Sequence, residues 1–516
     1  MRMNKEGRCT LCGKQILLDI NKEKCICQEC GGQMLTQAAI AFDLYSRKQE
    51  NTDPINTFEV VDGTLHSCQL NSKYVVIPDH VHRIEPCFFM NRHILSEVYI
   101  PDSVTEIGNS VFKGCANLKK IRLSSHLTRL EYCMFEDCVN LETIELPEGI
   151  IEIEPKVFKN CHKLRYLNIP ESIERIGESC FEECNDLEKL TIPLGVTMIE
   201  NKTFYHCNHL EQLDLPATLM SIGYAAFEGC QSLKQIELSS VSFIGPLAFK
   251  DCRKIREIRI PKGNKTIYEN TFEGCSELVC LELPDCITSL GEGAFIDCIS
   301  LEKIVIPDHL TQIERSLFKG CKKLSEISFP GIITRIGNNA FEGCSSLYNI
   351  NLPYFLKSIG INSFKDCIHL KQITIPENTA RIQDGAFMNC INLERVQITG
   401  KEMTIAKEVF KNCTSLMTIN LPDRIHTTAT SFEGCTALTN VITSLSPDEC
   451  KLEDSPWGKI VMPNLLIQRK KEAEKKLIEQ RMKMGVCLHC GGKFKGVFKM
   501  VCVNCGKEKD YTYNYQ

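Results

Sequence analysis

The chain repeats itself, and that constrains its fold more than anything else in the sequence. Aligned on Cys115, Cys138, Cys161, Cys184, Cys207 and Cys230, the step is 23 residues every time. It drops to 22 at Cys252, returns to 23 through Cys275, Cys298, Cys321, Cys344, Cys367, Cys390 and Cys413, and ends with a step of 22 to Cys435. Phe stands three residues before each of these 15 cysteines, from Phe112 to Phe432. Leu, or Ile255 in one copy, stands three residues after. Six after comes Ile, Leu or Val; eight after comes an aliphatic residue or Phe329 in all but the last copy (Thr443), and Pro usually follows. One such unit cannot bury its own apolar face, whereas a stack of them can, so the period predicts a solenoid.

Within the unit, Leu-x-x-Ile-x-Ile ends in period-two alternation, the pattern of a short half-buried strand. Pro lacks the backbone donor that the next strand would need and marks where pairing stops. The Gly that follows the next Ile (Gly108, Gly177, Gly223, Gly337, Gly360) suits a tight turn. The Phe-x-x-Cys-x-x-Leu spacing puts three apolar groups on one face of a helical turn. Parallel strands are therefore expected on one face, with short helical turns and loops on the other. The periodic cysteines read as small buried hydrophobes, because stacked copies point their side chains in parallel and a disulfide needs Cβ vectors turned toward each other.

These units, such as Ile-Pro-Asp-Ser-Val-Thr-Glu-Ile-Gly-Asn-Ser-Val-Phe-Lys-Gly-Cys-Ala-Asn-Leu-Lys-Lys-Ile over 100–121, resemble the BspA-type leucine-rich repeat, and the resemblance covers about 73–445. It implies a right-handed leucine-rich-repeat solenoid with parallel strands on one face and a binding role. The family is best known at bacterial and protist cell surfaces. End copies depart from the pattern: Arg92 replaces the cysteine after Phe89, Phe58 to Leu65 reads as a hairpin turning at Asp62-Gly63, and Trp457 is placed to cover the far end of the core.

Two four-cysteine clusters flank the repeats. Cys487-Leu-His-Cys490-Gly and Cys502-Val-Asn-Cys505-Gly are paired Cys-x-x-Cys knuckles with a small hairpin expected between them, and His489 is a bystander. Cys9-Thr-Leu-Cys12-Gly and Cys27-Gln-Glu-Cys30-Gly repeat the arrangement at the other end. Four thiolates at this spacing satisfy tetrahedral zinc and leave no position for a catalytic water, so two structural Zn²⁺ sites are expected. Cys25, two positions before Cys27, leaves a choice of ligand open. The clusters resemble zinc-ribbon modules common at the ends of bacterial multidomain proteins. The chain then divides into a zinc ribbon (1–32), a helix and linker (33–57, with the helix over 33–48), the solenoid with its caps (58–458), a charged helix (459–485, regular over 465–484) and a second zinc ribbon (486–516).

The net charge of −5 hides an asymmetry. From Lys459 to Gln516 there are 13 Lys and Arg against 5 Asp and Glu, a net of +8, which leaves −13 on residues 1–458. Such a tail has its own partner or folds back on the body. No secretory signal opens the chain, no run of about 18 apolar residues offers a membrane span, and 31 cysteines in a long chain point to a reducing compartment, so the expected address is the cytoplasm. There is no phosphate loop, no His-Glu-x-x-His and no Gly-x-Ser-x-Gly, and the expectation is that the protein is not an enzyme.

A protein-protein scaffold is the leading reading. Its unidentified partner would lie on the outward strand positions, Lys120/Arg122, Thr143/Glu145, Tyr166/Asn168 and their successors to Arg395/Gln397. That array is polar and mixed in sign, without the basic stripe and stacking rings of a nucleic-acid groove. Nucleic-acid or ribosome association through 459–516 is the alternative, and a surface adhesion protein the third.

Overall fold

A computed structural model describes residues 56–442 except 423 and 429, together with 4–8, 14–19, 24–26, 28, 33–35, 474–481, 483, 484, 486, 492–495 and 501–504. Most copies contribute one short strand to a first parallel row, which is interrupted at Tyr166 and Asn349, where single bridges stand in, and at 235–237, where no strand forms. Lys120, Ile121 and Arg122 pair in register with Glu97, Val98 and Tyr99 on one side and with Thr143, Ile144 and Glu145 on the other. The middle residue points inward, as period-two alternation requires: Ile121, Ile144 and Leu190 are buried. After this strand the proline opens a tight turn, in which Val104 N–H donates to the Pro101 carbonyl at 3.2 Å.

The chain then forms a second parallel row that the repeat pattern did not announce. Arg129–Leu130 pairs with Glu152–Ile153, which pairs with Arg175–Ile176. These strands are two residues long, too short to show alternation in a sequence. The glycine that follows serves close approach and not a tight turn: a Cβ on Gly108 would lie 2.5 Å from the backbone nitrogen of Pro86 in the preceding copy.

The third side corrects the helical expectation. Cys115 N–H donates to the Phe112 carbonyl at 3.0 Å and Leu118 N–H to the Cys115 carbonyl at 2.9 Å, a pair of linked tight turns. A helix is blocked because Ser110 (φ 57°) and Gly114 (φ 72°) are left-handed, as are Lys156 (φ 62°) and Asn160 (φ 61°) two copies on. The backbone amides freed in this way turn toward the next copy. Ser110, Phe112 and Gly114 N–H donate to the carbonyls of Tyr132, Met134 and Glu136 at 2.9, 3.0 and 2.7 Å. Each copy is thus bonded to the next on all three sides.

Inside, the phenylalanines form one continuous column from Phe89 to Phe432. Neighbouring rings are nearly parallel, 5.1 Å apart at the closest (Phe341 and Phe364) and 5.9 Å at the widest (Phe272 and Phe295). Each buried ring contributes roughly 1.5–3 kcal/mol of transfer free energy. Beside them run the cysteines, whose thiols do more than fill space. The Cys138 thiol donates to the Phe112 carbonyl at 3.1 Å, and all 15 repeat cysteines make the same bond to the phenylalanine of the copy before, through to Cys435 and Phe410 at 3.0 Å.

The near end is closed as expected. Strand β5 (Thr57–Val61) pairs antiparallel with β6 (Thr64–Gln69) through a turn with Asp62 and Gly63 both left-handed, and β6 joins Arg83–Ile84 to start the second row. Asn56 fastens the hairpin, its carbonyl oxygen accepting from Asn71 and Ser72 N–H at 2.8 and 2.9 Å. Trp457 lies outside the described residues. Further upstream, β1 (Asn4–Arg8) pairs with β2 (Gln15–Asp19), and β3 (Lys24–Ile26) with β4 (Gln33–Leu35), both antiparallel. This corrects the helix expected over 33–48: Gln33, Met34 and Leu35 are a strand because they close a hairpin on Ile26, Cys25 and Lys24. Residues 36–48 lie outside the described ones. Helix occupies 474–481, inside the span expected at 465–484, and no described helix is long and apolar enough to cross a membrane.

Candidate interaction surfaces and knuckles

The outward positions of the first row stand where the repeat pattern placed them. Lys189 and Thr191 are exposed around buried Leu190, as are Gln212 and Asp214 around Leu213 and Lys303 and Val305 around Ile304. Many of the charges beside this row are spent between copies. The Arg165 guanidinium and the Tyr166 hydroxyl both donate to Glu188, each at 2.8 Å, and hold its carboxyl below the usual range. Lys234 pairs with Glu211 at 2.7 Å.

One member of the expected array is not open. Arg122 is half-buried, pairs with Asp102 at 2.7 Å, and lies over the ring of Tyr99, which is itself fully buried although it occupies an outward position. Glu237 and Arg395 are exposed at outward positions of the kind a partner could read; Arg395 opens a strand, whereas the copy of Glu237 forms none.

On the second row the outward residues make a column of alternating charge at its near end. Arg83, Glu106, Arg129, Glu152 and Arg175 follow one another, with Arg83–Glu106 at 3.0 Å, Arg129–Glu152 at 3.9 Å and Arg175–Glu152 at 2.5 Å. The turn side carries a matching series: Lys113–Glu136 at 2.5 Å, Lys159–Glu182 at 3.0 Å, Lys250–Glu273 at 3.2 Å and Lys319–Glu342 at 2.9 Å. Past Arg175 the second-row column changes character. Met198, Met220 and Phe243 are exposed there, and the rings of Phe243 and Tyr268 stand 5.5 Å apart. Reading the two residues that precede the second Ile down their own columns would have found this stretch.

Of the eight knuckle cysteines only Cys502 lies among the described residues, where no three metal-ligating side chains converge. What surrounds the clusters nevertheless suits them. In the sequence, Cys9 and Cys12 fall between β1 and β2, and Cys27 and Cys30 between β3 and β4, two strand pairs that are each antiparallel. Cys25 belongs to strand β3, opposite Met34. At the other end Phe494–Lys495 pairs antiparallel with Val501–Cys502, the hairpin expected between the knuckles. Cys502 is buried, and its Sγ accepts the Asn504 N–H at 3.4 Å. A Cβ on Gly492, two residues after Cys490 in the sequence, would come within 2.9 Å of the same sulfur. An amide turned toward a thiolate is the setting that a four-thiolate metal site needs.

Comparison with known proteins bears on the repeats. The family described as BspA type leucine rich repeat region (6 copies) matches residues 59–188, 151–279, 265–394 and 334–449. No curated protein matches the chain. Among solved structures, a leucine-rich repeat protein from Bacteroides ovatus is similar at 24% identity over 76% of this chain and 93% of its own, with a TM-score of 0.48. A leucine rich cell surface protein from Faecalibacterium prausnitzii is 23% identical over 77% and 96%, with a TM-score of 0.36. The pneumococcal vaccine antigen PcpA is 18% identical over 72% and 89%, with a TM-score of 0.37.

Proposed function

The chain belongs to the BspA-type leucine-rich-repeat family, and from that premise we propose that it is a non-catalytic scaffold that holds a protein partner on its first strand row. The observation that carries this reading is the in-register row itself. Outward residues recur at a spacing of about 4.8 Å, one set per copy, and can vary without touching the sealed core. The array is polar, so a partner is held by many modest contacts and few dominant anchors.

The knuckles extend the proposal: Cys9, Cys12, Cys27 and Cys30 hold one structural Zn²⁺, and Cys487, Cys490, Cys502 and Cys505 hold another. The amide-to-sulfur bond at Cys502 and the hairpins at both ends support this. The cytoplasm is the proposed compartment on the sequence alone, from 31 cysteines in a long chain.

Affinity purification of the tagged full chain tests the scaffold reading. Glu237→Lys and Arg395→Glu should each weaken capture of the same partner while thermal stability stays unchanged. If both leave capture intact and removal of 459–516 abolishes it, the solenoid is only a spacer. A second reading, nucleic-acid or ribosome association, rests on the +8 charge of that tail, including Lys475, Lys476 and Arg481 on its helix. It expects salt-dependent binding of RNA by the full chain that is lost with the tail.

A further inference from the structure

The second row loses its charge over five consecutive copies. The ten outward residues from Thr197–Met198 through Thr288–Ser289 include one ionisable side chain, Lys265. Lys265 has no ion pair among the described residues. Within this field Met198, Met220 and Phe243 are 43%, 56% and 42% exposed, although apolar side chains of this size are usually buried.

A concavity lies at the same place. Between Leu238 and Val241 the copy is one residue short, which is where the step of 22 to Cys252 arises. The next copy sets Asn264 at the usual aliphatic position, buried, with its amide donating to the Val241 carbonyl at 2.8 Å. The resulting cavity of about 210 Å³ is lined by Phe243, Gly263, Asn264, Lys265, Thr266 and Tyr268. It is smaller than the roughly 300–1,000 Å³ of small-molecule sites, and its size suits one or two side chains of another polypeptide. Aromatic walls ask for an apolar anchor, methionines beside them adapt to its shape, and a lone unpaired lysine on the rim asks for a carboxylate.

We propose that the second strand row from Met198 to Tyr268 is a docking site for a short segment of a partner protein that offers an aromatic or aliphatic side chain next to a carboxylate. This rests on the scaffold reading and adds a second face to it. The test uses the full chain and a fluorescein-labelled peptide, acetyl-Ser-Phe-Glu-Leu-Ser, against the same peptide with Lys in place of Glu, read by anisotropy. The Glu peptide should bind saturably, about tenfold more weakly to Phe243→Ser and to Lys265→Glu, the latter being the loss expected from one charge-assisted contact. Lys265→Glu should also come to prefer the Lys peptide, an exchange that decides the matter even if Phe243→Ser fails to fold. Absence of saturable binding, indifference to both substitutions, or a wild-type preference for the Lys peptide overturns the proposal. So does a dimer, seen by sedimentation, that Phe243→Ser dissolves, because the face would then belong to a second copy. Glu237→Lys and Arg395→Glu should leave peptide binding intact, so this site and the first-row reading fail separately.

Discussion

Raising the pH should dismantle the solenoid through its cysteines. Burial pushes the thiols of thirteen repeat copies above their ordinary value of about 9, to about 12 for Cys115 and well above 9 for the others. A folded-state pKa raised in this way gives stability that is complete below pH 9 and lost as the pH climbs toward the folded value. Each thiol that stays protonated while its unfolded counterpart ionises loses about 0.4 kcal/mol at pH 9 and about 1.4 kcal/mol at pH 10. Over thirteen copies that is roughly 5 and roughly 18 kcal/mol, against the ~5–15 kcal/mol that ordinarily separates folded from unfolded chains. Under reducing conditions the far-UV circular dichroism of the repeats should therefore collapse between pH 9 and 10, together with the rise of thiolate absorbance near 240 nm. Lysine and tyrosine also titrate nearby, so the control is a variant with Cys161→Ala, Cys184→Ala and Cys207→Ala. It should start less stable, yet lose about 4 kcal/mol less between pH 8 and 10 in urea titrations. Equal alkaline losses in the two proteins would refute the thiol account.

Other perturbations have definite signs. Arg122→Glu sets two carboxylates together at a half-buried site beside Asp102 and removes the cation from the Tyr99 ring, so it should cost roughly 2–4 kcal/mol in thermal unfolding. Phe227→Ala opens the middle of the ring column and should cost about 3–5 kcal/mol, with hydrogen exchange accelerated first in the copies around Cys230. Cys502→Ser should lower zinc in native mass spectrometry from two atoms per chain to one, with the circular dichroism of the solenoid unchanged.

The period, the first row and the closing hairpin were legible because each rests on patterns longer than a single residue: the Phe-to-Cys spacing, alternation around Ile121, and Asp62-Gly63 between two strands. The second row was not, since a strand of two residues carries no periodicity and its outward residue changes type from Arg175 to Met198. The turn side was misread as helical because the first left-handed position accepts Lys156 and Leu247 as readily as Gly293. What holds those residues in a costly conformation is a bond to the next copy, such as Leu247 N–H to the Glu269 carbonyl at 3.2 Å, which no single copy displays. The second-row apolar stretch was overlooked for a related reason: it shows only when residues 23 or 22 positions apart are read as neighbours. Met34 and Leu35 fit a helical face as well as a strand, and only their partners in β3 decide between the two.

The alternating column at the near end bears on how such a chain can grow or shrink. Excising the one copy that carries Glu106 would set Arg83 directly against Arg129, and duplicating it would stack two glutamates. Excising two adjacent copies restores opposite signs at the seam. A gain or loss of one copy here would thus set like charges about one strand spacing, ~4.8 Å, apart, whereas a gain or loss of two would keep the signs alternating.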